Sequence, residues 1–270
     1  MSHSHDQRAA RRAFCRFLAA SPLWAAAGLT TRAAEIGDDE LGAFFVPDGP
    51  LIDSAEQAVS VFDLEAVARH NLPPAHYGQI ATGAGGGGTM RRNRAGFGLY
   101  GIQARRMIGV SKVDASIELF GKKLAAPIML SPIGSHRIAN PEGELATAKG
   151  AAAQNANMIM STFSSTAIEE VVAARGGPIW YQLYPQSEWR VTEALVRRAE
   201  KAGCPVIVAT VDGVGGGKRE VFERFKRVDK RDCNTCHTPD DNRTGTAPMF
   251  TGIDMKGVGQ LGAGIDLAFI

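Results

Sequence analysis

The residues with the greatest chemical capacity in this chain stand where short apolar runs end. Ser131-Pro132-Ile133-Gly134, Ser161-Thr162-Phe163, Gln182-Leu183-Tyr184 and Thr210-Val211-Asp212 each close such a run. Between them they offer a carboxamide, several hydroxyls, a phenol and a carboxylate, groups that donate and accept hydrogen bonds. If the runs are parallel strands, their C-terminal ends share one mouth, which is where barrel enzymes keep their chemistry. That convergence defines a site without choosing a reaction.

Other motifs compete for attention. Cys233-Asn234-Thr235-Cys236-His237 matches the C-x-x-C-H pattern of covalent haem c attachment, in which two thiols form thioethers and the histidine ligates iron. Met249 and Met255 are candidates for a second axial ligand. An intraloop disulfide, another metal or a chance match are the alternatives. Gly83, Gly85 and Gly88 satisfy G-x-G-x-x-G, yet the residues before them read as helix, so no strand feeds a dinucleotide loop. Gly215-Gly216-Gly217-Lys218-Arg219 fails as a phosphate loop, because Asp212 occupies the first glycine position and Arg219 the Ser/Thr position.

The elements that must position the first group are βα units. Apolar runs at 127–132, 158–161, 179–184 and 206–212 read as buried parallel strands, and 141–155, 167–175 and 191–202 carry helical spacing between them. The fold class is α/β, a partial (β/α)8 barrel of about the first four units, preceded by a helical segment. In that lead-in, 61–125, Asp63 is the expected N-cap for Leu64, Val67 and Ala68, and Pro73-Pro74 separates this helix from one at 76–82. The half barrel covers 126–220, and 221–270 is a Cys-, Pro- and Gly-rich stretch without a strand pattern. A whole barrel typically needs ~250 residues, and only about 145 follow the first strand. The barrel is therefore expected to need an oligomer or a second chain for completion.

With 44% hydrophobic and 21% charged residues the chain can bury a core. Its 30 basic and 28 acidic residues give +2, which excludes electrostatic steering to nucleic acid as a main function. Arg11-Arg12-Ala13-Phe14, an apolar stretch at 17–29 and small residues up to Ala34 read as a twin-arginine-like export signal over 1–34, with a linker at 35–60 and a periplasmic destination. Cys15 would leave with the signal, and Cys204 lies in an expected helix-to-strand loop, so the cysteines do not form a disulfide scaffold.

Pro141-Glu142-Gly143-Glu144 with Ala146-Thr147-Ala148, Trp180-Tyr181-Gln182-Leu183-Tyr184, and Thr210-Val211-Asp212 with Arg219-Glu220 resemble the FMN-dependent α-hydroxy-acid dehydrogenase and oxidase family. Leu72-Pro73, Thr82-Gly83-Ala84 and Asn93-Arg94 extend the likeness upstream, over about 160 collinear residues. The resemblance implies an FMN cofactor and oxidation of a small 2-hydroxy acid to a 2-oxo acid; with the export signal, and a haem at Cys233 and Cys236, the expected electron acceptor is a periplasmic carrier. It implies that backbone groups of Pro132, Ile133 and Gly134 line the flavin, and that Ser161, Gln182 and Thr210 bond its pyrimidine edge. By the same likeness Tyr184 contacts the substrate oxygen, Asp212 orients a histidine base and Arg219 clamps the substrate carboxylate.

Two departures accompany the likeness. Gln79, a substrate-binding candidate whose amide can still donate a hydrogen bond, stands after Tyr77-Gly78 where family members place a carboxylate-binding tyrosine, and Phe163 stands where some carry tryptophan. The later lysine, the catalytic histidine with its arginine and the glycine-rich phosphate site of the family have no match among the 270 residues. Turnover by this chain alone is therefore expected to be impaired or absent. The alternative is a non-catalytic periplasmic half barrel or a haem-bearing electron-transfer module.

Overall fold

The computed structural model of the chain describes residues 51–109, 111–212, 217–231 and 247–258. The leader at 1–34, the first part of the linker, and Cys233, Cys236 and His237 lie outside the described residues. The chain divides into two compact units, 1–70 and 71–270.

In the first unit a short 3-10 turn at Ala55–Gln57 precedes α1 (Val61–Asn71), whose last residue falls in the second. Asp63 is not the N-cap. Its Oδ2 accepts the N–H groups of Val59 and Ser60, each at 2.8 Å, while Ser60 Oγ accepts the Phe62 N–H at 3.3 Å. Ser60 is thus the cap and Asp63 its reciprocal partner three residues on, a carboxylate well placed against the positive end of the helix.

The second unit opens with α2 (Pro74–Ala81), which starts on a proline where the absent N–H is harmless. After α3 (Gly88–Gly96) comes an antiparallel hairpin, β1 (Ile117–Leu119) and β2 (Lys122–Leu124). Its two turn residues, Phe120 and Gly121, have φ of 50° and 69°, the left-handed pair that the right-handed twist of a tight hairpin demands. The Phe120 ring meets Trp180 edge-on at 5.5 Å between centroids. The segment 61–125 is therefore helical only in part.

The main sheet is parallel, in the order β3 (Met129–Leu130), β4 (Asn157–Met160), β5 (Trp180–Leu183), β6 (Ile207–Ala209). Helices α4 (Glu144–Ala153), α5 (Ile168–Arg175) and α6 (Trp189–Lys201) connect the strands, so three consecutive crossovers build one side of a barrel. All four strands and three helices overlap segments expected from periodicity; β3, β5 and β6 are shorter than their apolar runs, and β4 has the same length shifted by one residue. Side chains alternate across the sheet. Met158, Met160, Tyr181 and Leu183 join Ala148, Ile168, Val171, Val191 and Leu195 in the core under the helices, whereas Trp180 and Gln182, also buried, take the other face. On α6, Val191, Leu195 and Ala199 repeat every four residues and are fully buried, which is why that helix forms and lies where it does.

Besides the hairpin and α3, two further elements were not expected. Residues 220–228 form α7 (Glu220–Val228), whose Phe225 packs against Tyr77 edge-on at 5.5 Å. Residues 247–258 return to the core: Met249 and Phe250 are buried, and Arg198 Nη1 holds the carbonyls of Pro248 and Met249 at 2.6 and 3.0 Å. The Met249 side chain is thus committed to packing, which removes it as an axial ligand.

Candidate functional site

The ends of β4, β5 and β6 bring three of the expected residues into one hydrogen-bonded chain. The Gln182 carboxamide lies in the middle, 2% exposed. Its Nε2 donates to Thr210 Oγ1 at 2.7 Å, and its Oε1 accepts from Ser161 Oγ and from the Thr162 N–H, each at 3.2 Å. The parallel register explains the meeting, since Met160 pairs with Tyr181 and Gln182 with Val208, which puts Ser161 beside Gln182 and Thr210 just beyond it. An amide whose oxygen is anchored twice cannot rotate freely, so its N–H2 face is fixed.

Thr162 supports this chain from behind. Its Oγ1 donates to the Gln182 carbonyl at 2.6 Å and accepts the Tyr184 N–H at 3.0 Å, and the buried Tyr181 hydroxyl donates to it at 3.2 Å. Burial holds the Tyr181 phenol well above its ordinary pKa, so it stays a donor. Tyr184 is half-buried, its ring 5.4 Å from that of Phe163, which in turn lies 6.0 Å from Phe250. Asp212 is exposed, three residues past the end of β6.

The loop after β3 comes against the loop after β4 backbone to backbone. Ser135 N–H donates to the Phe163 carbonyl at 3.0 Å, and a Cβ on Gly134 would stand 3.1 Å from that same oxygen. Glycine is what allows the approach. Pro132 is half-buried and Ile133 is 60% exposed at the mouth.

Arg219 and Gln79 form a second group, joined to the first by no hydrogen bond among the described residues. Arg219 Nη1 donates to Gln79 Oε1 at 2.7 Å, and Nη2 donates to the carbonyls of Gln79 and Thr82 at 2.8 and 2.6 Å. The guanidinium expected to clamp a substrate thus holds the C-terminal turn of α2, where helix carbonyls have no intrahelical partner. At the other end of the same helix Asp229 Oδ2 accepts the Ala75 N–H at 3.0 Å, capping α2 from 154 residues away.

Asp229 makes a pH prediction. Hydrogen bonds from Arg231 and then from Ala75 hold its carboxyl well below the ordinary range. A depressed folded-state pKa stabilises above the unfolded value of ~4 and loses that stabilisation as pH falls below it. The melting temperature of the native chain should exceed that of Asp229→Asn at pH 6, and the gap should shrink between about pH 4 and pH 2. A gap that stays constant over that range would dissociate the carboxylate from the α2 cap.

Sequence reasoning assigned no role to Glu144 or Thr162, although both lie inside quoted motifs; their signal was a polar residue at a buried position, set by strand alternation with Met158 and Met160 for Thr162 and by helical spacing with Ala148 and Ala151 for Glu144. A surface cleft lined by Glu169, Arg197, Arg198, Lys201 and Ala202 belongs to α5 and α6 and contributes no residue to either group.

A sequence profile described as FMN-dependent dehydrogenase matches residues 68–250. Among curated proteins, glycolate oxidase 1 of Zea mays is 37% identical over 164 residues, 61% of this chain and 44% of that protein. A peroxisomal (S)-2-hydroxyacid oxidase of Arabidopsis thaliana is 39% identical over 173 residues, 64% of this chain and 48% of that one. Among solved structures, mandelate oxidase superposes with a TM-score of 0.62 at 34% identity, covering 67% of this chain and 52% of its own. The chain spans about half the length of the relatives it matches.

Proposed function

This chain belongs to the FMN-dependent dehydrogenase family, and from that premise we propose that its strand ends hold the flavin ring in the oxidation of a small 2-hydroxy acid to a 2-oxo acid. The observation that carries the proposal is the chain Ser161–Gln182–Thr210. The pyrimidine edge of a flavin presents a carbonyl, an N–H and a second carbonyl, and needs two donors and one acceptor. The second N–H of Gln182 Nε2 and the Thr210 hydroxyl supply the donors, Ser161 Oγ, whose proton goes to Gln182, keeps a lone pair to accept, and the open mouth with Ile133 exposed beside it accommodates a flat ring. The residues therefore fit the cofactor.

FMN, when bound, would accept the hydride equivalent from the substrate carbon. The chain's own residues orient and exclude: Tyr184 faces the substrate oxygen, Phe163 and Tyr184 wall the mouth, and Asp212 orients the base and stabilises the charge it acquires on taking the proton. Proton abstraction falls to a histidine outside these 270 residues, because none of the six present matches the motif of the base. Among the described residues the two sheet edges, β3 and β6, each have one strand neighbour, and the reading requires further βα units, from the same polypeptide or a second chain, to close the barrel.

Arg219 acts on the substrate carboxylate in this account only by exchanging its bond to Gln79 Oε1 for one to the ligand. Replacing Gln79 by Ala removes that competitor, and a 2-oxo acid titrated into FMN-loaded protein should bind ~3- to 10-fold more tightly by flavin absorbance. Unchanged affinity would confine Arg219 to holding α2.

The reading extends to export through the leader at 1–34, and to the periplasm as the place where FMN is used. Haem on Cys233, Cys236 and His237 rests on the motif alone, and haem staining of the denatured, exported protein decides it. The test of the function is bleaching of the flavin band near 450 nm when glycolate, lactate or mandelate is added without oxygen to the protein assembled with the units that complete the barrel and supply the base. Bleaching by one of them supports the proposal, and a band unmoved by all three in protein that binds FMN would restrict the chain to cofactor binding.

A further inference from the structure

Glu144 opens α4, yet its side chain is 1% exposed and turned away from solvent. Its Oε1 accepts the backbone N–H of His136 at 3.2 Å and of Ser165 at 2.8 Å. Its Oε2 accepts the hydroxyls of Ser165 and Thr166 at 2.7 and 2.8 Å. His136 belongs to the turn that follows Pro132–Gly134, and Ser165 and Thr166 belong to the loop that follows Ser161. One carboxylate therefore ties together the two loops that carry the backbone and hydroxyl contacts assigned to the flavin.

The local backbone is built to bring it there. Gly143, just before it, has φ of +57°, and a Cβ at that position would lie 2.9 Å from Arg137 Cγ and 3.2 Å from Ser165 Oγ. Ser165 Oγ also accepts the Arg137 N–H at 3.1 Å, a second strut between the same loops. Burial raises the Glu144 pKa, but the bonds from Ser165 and Thr166 outweigh it and hold the carboxyl below its ordinary value. Its position in the first turn of α4 also favours negative charge.

We propose that Glu144 is a positioning residue for the flavin shelf, fixing the loops after β3 and β4 to one another so that Gly134 and Ser161 address the same ring. The inference rests on the proposed FMN site. Its distinguishing feature is the response to a neutral isostere. In Glu144→Gln the amide oxygen can still accept both N–H groups, and the amide nitrogen can donate to the two hydroxyls, which then turn to donate elsewhere. In Glu144→Ala both N–H groups lose their acceptor.

Hydrogen exchange of the full chain without flavin, followed by FMN titration monitored through fluorescence quenching, tests this. Glu144→Ala should speed exchange at the His136 and Ser165 amides by ~10-fold or more while the Leu195 amide on α6 keeps its protection, and should weaken FMN by ~10-fold. Glu144→Gln should leave both within ~3-fold of the native chain. Ser165→Ala, which removes one donor to the carboxylate and the acceptor of the Arg137 N–H but keeps the carboxylate and its other bonds, should fall between them and serves if the alanine variant does not fold. Faster exchange with unchanged FMN affinity, or a glutamine variant as impaired as the alanine one, overturns the proposal. If the native chain binds no FMN, the functional reading fails, and the exchange rates still decide whether Glu144 locks the loops.

Discussion

Gln182→Leu is expected to weaken FMN binding by ~100-fold or more, about 3 kcal/mol at ~1.4 kcal/mol per decade. Leucine fills nearly the same volume, so the packing around a residue only 2% exposed changes little. What changes is polarity. The Thr162 N–H and the Ser161 hydroxyl lose their common acceptor, and Thr210 loses its donor. A buried group left without a partner costs ~1–3 kcal/mol, and the ligand loses the fixed amide as well. Thr210→Val, which removes one hydroxyl and leaves the Gln182 oxygen anchored, should cost only ~10-fold. Fluorescence quenching measures both. A folded Gln182→Leu protein that binds FMN within ~3-fold of the native chain would remove Gln182 from the site.

Gly78→Val should destabilise the second unit by ~3 kcal/mol, visible as a lower urea midpoint at unchanged m-value. A Cβ at Gly78 would stand 2.7 Å from Phe225 Cβ, 2.8 Å from Cγ and 2.9 Å from Cδ2. Neither Cβ can swing aside, because each is fixed to its own backbone, so α2 and α7 must separate. Separation also pulls at the Tyr77–Phe225 contact, the Asp229 cap on Ala75 and the Arg219 bonds to Gln79 and Thr82. Gly78→Ala should show the same sign with a smaller size, offset in part by the ~1 kcal/mol that alanine gains over glycine in a helix. A valine variant as stable as the native chain would mean that the two helices do not pack closely in solution.

The βα units were legible because their signals are strong and local. The run around Gln182 is apolar on both faces, as a strand covered on both sides must be, and α6 repeats its buried Val191, Leu195 and Ala199 at helical spacing. The hairpin at 117–124 was not legible, since three-residue strands give no periodicity and its turn depends on Phe120 in a left-handed conformation that phenylalanine rarely adopts. For α3, its opening glycine and run of charged residues hid the helix. α7 left a readable trace in Phe222 and Phe225, three residues apart, and in the Glu220–Arg224 and Glu223–Lys226 pairs, yet it stood in a charged stretch and was passed over.

The site divides the same way. Strand ends place Ser161, Gln182 and Thr210, and the resemblance gave them a ligand, but their mutual bonding depends on register that only the folded sheet displays. The pairing of Arg219 with Gln79 spans 140 residues, a separation over which no local pattern carries information. Asp63 illustrates a smaller limit: any acidic residue near a helix start looks like a cap, and only the bonds distinguish the cap from its partner three residues on.

The central claim is that Ser161, Gln182 and Thr210 read the pyrimidine edge of a flavin, and a titration of the purified chain with FMN and with FMN methylated at N3 tests it most directly. The methyl group leaves the phosphate, ribityl chain and ring stacking intact and replaces the one N–H that the Gln182 and hydroxyl row must accept. The account predicts saturable quenching of FMN fluorescence and binding of the N3-methyl analogue weaker by ~10-fold or more. Equal affinity for the two, or no saturable binding of either, would contradict it.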